Sequence, residues 1–198
     1  MIKEEEIKNA GTYVEQLRVS VDNLEVPNDS RTRAAGSCFA IAQELHHAIV
    51  RLIEWRLFAA AFSLVRIEFE AYIRGEWLSQ CASDSVIDAF LQNKEPPRIN
   101  CLLAELEMLE SFNEKVLSQI KEKTWKSMCA YTHTGGLHVQ RWNTEDGIEA
   151  NYNRDEILEV LKFAEIIASL SVVGTARLAK DDALANRTFE AFKKRVVA

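Results

Sequence analysis

The stretch from about Arg56 to Cys81 constrains the fold more than any other part of this chain. Apolar residues surround nearly its whole circumference at helical spacing: Leu57, Phe58, Ala61, Phe62, Leu64, Val65, Ile67, Phe69, Tyr72, Ile73 and Leu78. A helix that is apolar all round must be wrapped by other helices, so the segment predicts the centre of a bundle. The rest of the chain agrees. Only seven Gly and three Pro interrupt 198 residues, too few for a fold of many short strands. The length supports one hydrophobic core, and no linker or repeat divides it. The expected architecture is therefore all-α, a single helical domain over residues 1–198 around a buried central helix.

The neighbouring helices follow from periodicity and end signals. Residues from about Ile2 to Leu24 read as a first amphipathic helix. Pro27-Asn28-Asp29-Ser30 ends it, and Asp29 or Ser30 can cap a second running to about Glu54, with a break near Trp55. Ser83 or Asp84 caps a short fourth helix to about Asn93, and Pro96-Pro97 opens a fifth. Asn113 is the expected cap of a sixth, which ends at Thr134-Gly135-Gly136 with Gly135 as the left-handed residue. Leu137 to Tyr152 lacks helical period and reads as an exposed excursion with a small hairpin. Asn153 and Glu156 form a capping-box start for a seventh helix reaching about Lys180, and a short basic helix from Phe189 to Val197 completes the chain.

Composition excludes several functions. The net charge of −6 gives no whole-domain basic field, so RNA is a possible ligand that charge does not support. Cys38, Cys81, Cys101 and Cys129 form no CxxC pair and lie in apolar surroundings, which predicts buried free thiols. The N-terminus, Met1-Ile2-Lys3-Glu4-Glu5-Glu6, has no apolar core for a signal peptide, and Ile166 to Ala176 is too short to span a membrane. A cytoplasmic protein without membrane association is expected. No phosphate loop, dinucleotide fingerprint, HExxH, GxSxG or EF-hand pattern is present, and no cofactor or metal is implied.

Two constellations remain. Arg66, Glu70, Arg74 and Trp77 fall within one quadrant of the central helix at about 100° per residue. Charges there must be paired, and Glu70 lies four residues from each arginine. The stripe is either an internal ion-pair ladder that sets how helices dock, or a polar cleft whose arginines face an anionic ligand. The second is Tyr131-Thr132-His133-Thr134-Gly135-Gly136-Leu137-His138. His133 in the last helical turn either bonds free carbonyls or serves as an acid or phosphate contact beside a glycine turn. Adjacent His46 and His47 point about 100° apart, so one is expected in the core and the other exposed. Glu105, Glu107 and Glu110 read as a solvated face rather than a metal site.

The run Leu64-Val65-Arg66-Ile67-Glu68-Phe69-Glu70-Ala71-Tyr72-Ile73-Arg74-Gly75-Glu76-Trp77-Leu78, with Trp125-Lys126-Ser127-Met128-Cys129-Ala130-Tyr131-Thr132-His133-Thr134-Gly135-Gly136 later, resembles a family of uncharacterised bacterial helical proteins. The shared motifs are an Arg-x-x-x-Glu-Ala-Tyr-x-Arg-x-x-Trp-Leu helix and a Tyr-x-His turn. More loosely the chain is similar to the HEPN group of helical bundles, many of them dimeric, metal-independent endoribonucleases of toxin and phage-defence systems. That resemblance implies Lys126, Ser127 and His133 as the matching string, with lysine where the group has arginine. Lysine lacks the bidentate fork for a phosphate. Three functions are thus open: a non-catalytic helical module that forms a homodimer or binds a partner protein, a HEPN-like ribonuclease using His133 and Lys126, or a pocket for a small anionic ligand.

Overall fold

The computed structural model describes residues 2–197. They form an all-α bundle whose helices, in order, are α1 (Glu4–Ser20), α2 (Ser30–Glu54), α3 (Phe58–Gln80), α4 (Asp84–Leu91), α5 (Ile99–Leu106), α6 (Val116–Thr132), α7 (Gly136–Gln140), α8 (Arg154–Ala179) and α9 (Asp182–Val197). A single 3-10 turn, Glu110–Phe112, lies between α5 and α6. No described helix is long and apolar enough to cross a membrane.

The helix α3 is the hub, packed against α2, α8, α6 and α5. Asp29 starts α2 by accepting the Thr32 N–H at 2.9 Å, as its position before an apolar-periodic run implies. After Glu54 the chain reverses through Trp55–Leu57, with Arg56 left-handed at φ 59°. The α2 and α3 helices are thereby antiparallel neighbours, and Arg31 ties the far end by donating to the carbonyls of Leu78 and Ala82. Between them Phe39 is fully buried, and only hydrogen at two facing positions leaves room for its ring. A Cβ on Gly75 of α3 would lie 2.6 Å from it, and one on Gly174 of α8 would lie 2.5 Å away. These glycines let three helices close on one phenyl ring, the contact that sets their register.

That register has a consequence for two charged residue types. Moving one heptad from Phe39 along α2, and one heptad the opposite way from Gly75 along α3, brings His46 and Glu68 to the same level of the core. Both are buried, and His46 Nε2 and both Glu68 carboxyl oxygens have no hydrogen-bond partner. Burial pushes the Glu68 carboxyl well above its usual range, so it is held protonated. Burial likewise pushes the His46 imidazole down to about 3, so it is neutral. Of the two adjacent histidines, His46 is thus the core residue. His47 is half-buried and accepts a hydrogen bond from Arg51 at 3.3 Å.

The C-terminal part clasps this core. Asn153 and Glu156 form the capping box of α8, which ends at left-handed Lys180. The Tyr13 hydroxyl meets Ser169 Oγ at 2.7 Å and joins α1 to α8. Arg195 of α9 bonds Glu165 at 2.6 Å and stacks over the Tyr13 ring, so α9 closes over both. This last helix begins at Asp182, seven residues before the expected Phe189, because Leu184 and Thr188 are buried and the Asp181 carboxylate caps the Leu184 N–H.

Four local expectations are corrected. The α6 helix is not capped by Asn113: Lys115 precedes it in the left-handed region, and Glu107 reaches over to accept from Ser118 N and Oγ at 3.0 and 2.9 Å. The left-handed residue after α6 is Thr134 (φ 54°), while Gly135 is extended (φ −71°). The Gly135 N–H bonds the Ala130 carbonyl at 2.7 Å, and a Cβ on Gly135 would stand 3.0 Å from Ala130 Cα, so the tight turn spends its glycine on close approach. Leu137 to Tyr152 holds the short α7 before the expected hairpin, whose antiparallel bridge pairs Asn143 with Ile148 around Gly147 at φ 144°. Cys101 is exposed, and Cys38 is the one cysteine that is fully buried.

Candidate functional site

Although α3 is central, one of its edges reaches the surface, and the charged stripe lies along it. Arg66 Nε donates to Glu70 Oε1 at 2.7 Å and Arg74 donates to Glu70 Oε2 at 3.0 Å. The pairing expected from the four-residue spacing is present. The side chains are nevertheless only half-buried, with 21%, 16% and 32% of Arg66, Glu70 and Arg74 exposed, and Ile67 beside them is exposed. The ladder is not sealed in the core, because all three side chains keep part of their surface exposed.

The stripe does not end on its own helix. Arg66 NH1 lies 2.5 Å from His133 Nε2, although 67 positions separate them. An arginine only donates, so the imidazole accepts through a lone pair at Nε2 and bears its proton at Nδ1. Two features place His133 there. Its backbone N–H closes α6 by bonding Cys129 O at 3.0 Å, and Thr132 and Ser63 tie the end of α6 to α3. His133 is exposed and hydrogen-bonded through its ring, not folded back on free carbonyls.

Trp125 forms the floor. The Arg66 guanidinium sits 4.6 Å from its ring centroid and Lys121 Nζ sits 4.9 Å away. Stacking and the Glu70 bond together hold Arg66 in one rotamer. Lys126 lies on the same face of α6 as His133, two turns earlier, and is exposed. Arg66 and Arg74 thus share the Glu70 carboxylate, His133 and Trp125 meet Arg66, and Lys121 lies over the same Trp125 ring.

Trp77 is not among them. Its side chain turns inward and is buried, and its Nε1–H donates to Glu105 Oε2 at 2.6 Å across the α3–α5 contact. Sequence reasoning grouped it with Arg74 by helical angle, but α5 supplies the acceptor that decides its direction. Conversely, Trp125 enters the sequence pattern only as the first residue of the Trp125–Gly136 motif, with no role of its own. Its place in the same short motif as His133 was the available signal. His138 is buried, donating Nδ1–H to the Tyr131 carbonyl at 2.8 Å, and stands apart from the His133 contact. Among the described residues, no three His, Cys, Asp or Glu side chains are gathered closely enough to hold a metal ion.

Such a surface can bind an anion through two guanidinium groups and offer a base beside it. No curated protein and no solved structure matches the chain. The sequence profile of a family of unknown function, DUF6988, matches residues 39–196, a span that holds α3, α6 and every residue of this cluster. The chain belongs to that family.

Proposed function

We propose that the α3–α6 surface takes a phosphate group of single-stranded RNA, with His133 as the residue that moves a proton. The observation that carries this reading is the direct contact of Arg66 with an exposed His133. A guanidinium fixed by Glu70 and Trp125 is preorganised for a phosphate oxygen, and a lone-pair-bearing imidazole beside it is a general base. In the proposed step, the ribose hydroxyl gives its proton to His133 Nε2 and attacks the adjacent phosphorus. The bond to the leaving ribose oxygen breaks, that oxygen takes a proton from a water molecule as it departs, and the imidazolium returns its proton to the hydroxide so formed. The products are a cyclic phosphate and a free hydroxyl end. Arg66 turns from the imidazole to a non-bridging oxygen, Arg74 neutralises charge one turn away, and Lys126 meets a flanking phosphate. The arginine that the HEPN resemblance lacks at Lys126 is supplied in this reading by α3.

Binding is tested by anisotropy with a ribose-methylated RNA oligonucleotide, which lacks the nucleophile. Arg66→Ala is expected to weaken binding by about tenfold or more, the worth of one charge-assisted hydrogen bond. Equal affinity of Arg66→Ala and wild type would remove Arg66 from the site.

A second reading is a non-catalytic module that assembles with itself or with a partner protein. Ile67 favours it: an isoleucine 44% exposed on the central helix, next to Arg66, is a feature an interface would cover. A homodimer in sedimentation that Ile67→Arg dissociates would support this; wild-type monomer at micromolar concentration would sink it.

A further inference from the structure

The helix pair α2–α3 leaves one face open. On α2, Ile41, Leu45, Ala48 and Leu52 recur at steps of four, three and four residues; on α3, Ala60, Leu64, Ile67 and Ala71 recur at the same steps. Spacing that alternates three and four sets apolar side chains in one seam, the surface by which helices interlock in bundles. The described helices do not cover these seams. Ile41 and Ile67 are 49% and 44% exposed, Ala60 is exposed, and Leu45, Ala48, Leu52 and Leu64 are half-buried. On α2 the seam centre is turned about 150° from Phe39, the residue enclosed by α3 and α8.

The two seams carry matched sizes. Both helices run away from the Trp55–Leu57 reversal, so residues equally far from Glu54 and Phe58 stand at one level. Leu52 and Ala60 are each two residues in, Ala48 and Leu64 six, Leu45 and Ile67 nine, and Ile41 and Ala71 thirteen. At three of these levels one helix offers a large side chain and the other an alanine. A second copy turned by 180° about an axis parallel to the helices lays α2 on α3 of its mate, level on level. Leu52 then meets Ala60, Leu64 meets Ala48 and Ile41 meets Ala71, each large side chain filling the space above an alanine.

The charges favour the same axis. Beside the α2 seam, Arg51 is tied to Glu54, which leaves the exposed Glu44 as the anion of that edge. Beside the α3 seam, Arg66, Glu70 and Arg74 leave one net positive charge. The parallel axis sets the anionic edge of one copy on the cationic edge of the other, whereas a perpendicular axis sets each edge on its like.

We propose that two copies of the chain associate through this face, α2 of each upon α3 of the other, in a two-fold contact of four helices. Glu44 of one copy then borders the Arg66–Arg74 edge of the other, so each candidate site lies at the rim of the contact. The proposal rests on the self-assembly reading, to which it gives a face and an axis, and holds whether or not RNA is cleaved.

Sedimentation equilibrium of the full chain at micromolar concentration is expected to show a dimer. Ala60→Arg, at an exposed helical position, is expected to raise the dissociation constant by about tenfold or more with far-UV circular dichroism unchanged, because it puts a charge into an apolar contact. Ile148→Arg, on the hairpin at a residue 88% exposed, is expected to leave the constant unchanged. If Ala60→Arg fails to fold, Ile41→Arg probes the same face. The axis is read by oxidising a mixture of Ala48→Cys and Leu64→Cys proteins, each with Cys101→Ser. The mixture is expected to give a disulfide-linked dimer and either variant alone to give none. Wild-type monomer at micromolar concentration overturns the proposal together with self-assembly. A dimer that the arginine variants leave intact overturns this face while self-assembly stands. A mixture without cross-links, or one variant that cross-links alone as fully as the mixture, overturns the axis.

Discussion

Replacing Glu68 with leucine should stabilise the protein, and by more as the pH rises. Glu68 is completely buried on α3 with neither carboxyl oxygen bonded. A buried polar group without a partner costs about 1–3 kcal/mol, which leucine removes at similar volume. The pH dependence follows from burial, which raises the folded-state affinity of Glu68 for its proton well above the ordinary value of 4.5. Above that value the unfolded chain has lost the proton and the folded chain retains it. Wild-type stability therefore falls with rising pH, by about 1.36 kcal/mol per unit, until the raised folded value is passed. Above the ordinary carboxylate range the advantage of Glu68→Leu should therefore grow as the pH rises. His46 acts with the opposite sign: its lowered folded value costs stability as pH falls below 6.5. It is present in both proteins and cancels in the difference. Urea unfolding followed by circular dichroism across this range measures the difference, with Glu68→Gln separating lost titration from gained apolar contact. A pH-independent difference, or a less stable Glu68→Leu, would refute the reasoning.

Three further outcomes follow from the packing. Arg177→Ala should cost about 1.5–3 kcal/mol in urea unfolding, because it strips the cation from buried Glu76, to which it bonds at 2.6 Å. Gly174→Ala should cost about 1–3 kcal/mol in the same assay, since its methyl would collide with the enclosed Phe39 ring. Thr134→Gly should raise stability by about 1 kcal/mol by relieving a β-branched residue at φ 54°, detected as a higher urea midpoint.

Legibility in the sequence followed the range of the interaction. Asp29 before α2 and Asn153 with Glu156 before α8 act within one turn, so residue type and spacing sufficed to find them. The Arg66–Glu70–Arg74 pairs are equally local. Its half-exposed position was not readable, because the apolar circumference of α3 does not say which edge its neighbours leave open. The left-handed Thr134 was missed since glycine is the usual choice there; Ala130 across the turn reserves Gly135 for close approach. The α7 helix has five residues, too few to show a period. Glu68 carried a usable sign: it lies seven residues before Gly75 on the face that meets α2. The Arg141–Glu156 pair and the Arg66–His133 contact join residues distant in the chain, and only the folded arrangement brings them together.

The central claim is that His133 moves a proton at an RNA phosphate held by Arg66. Its most direct test is incubation of end-labelled single-stranded RNA with the purified protein in the presence of a metal chelator, comparing wild type with His133→Ala. The account predicts cleavage by wild type to fragments ending in cyclic phosphate, and none by His133→Ala at an unchanged melting temperature. His133 is exposed at a helix end, so its loss should leave the core intact. Intact RNA with both proteins, or equal cleavage by both, would contradict the account.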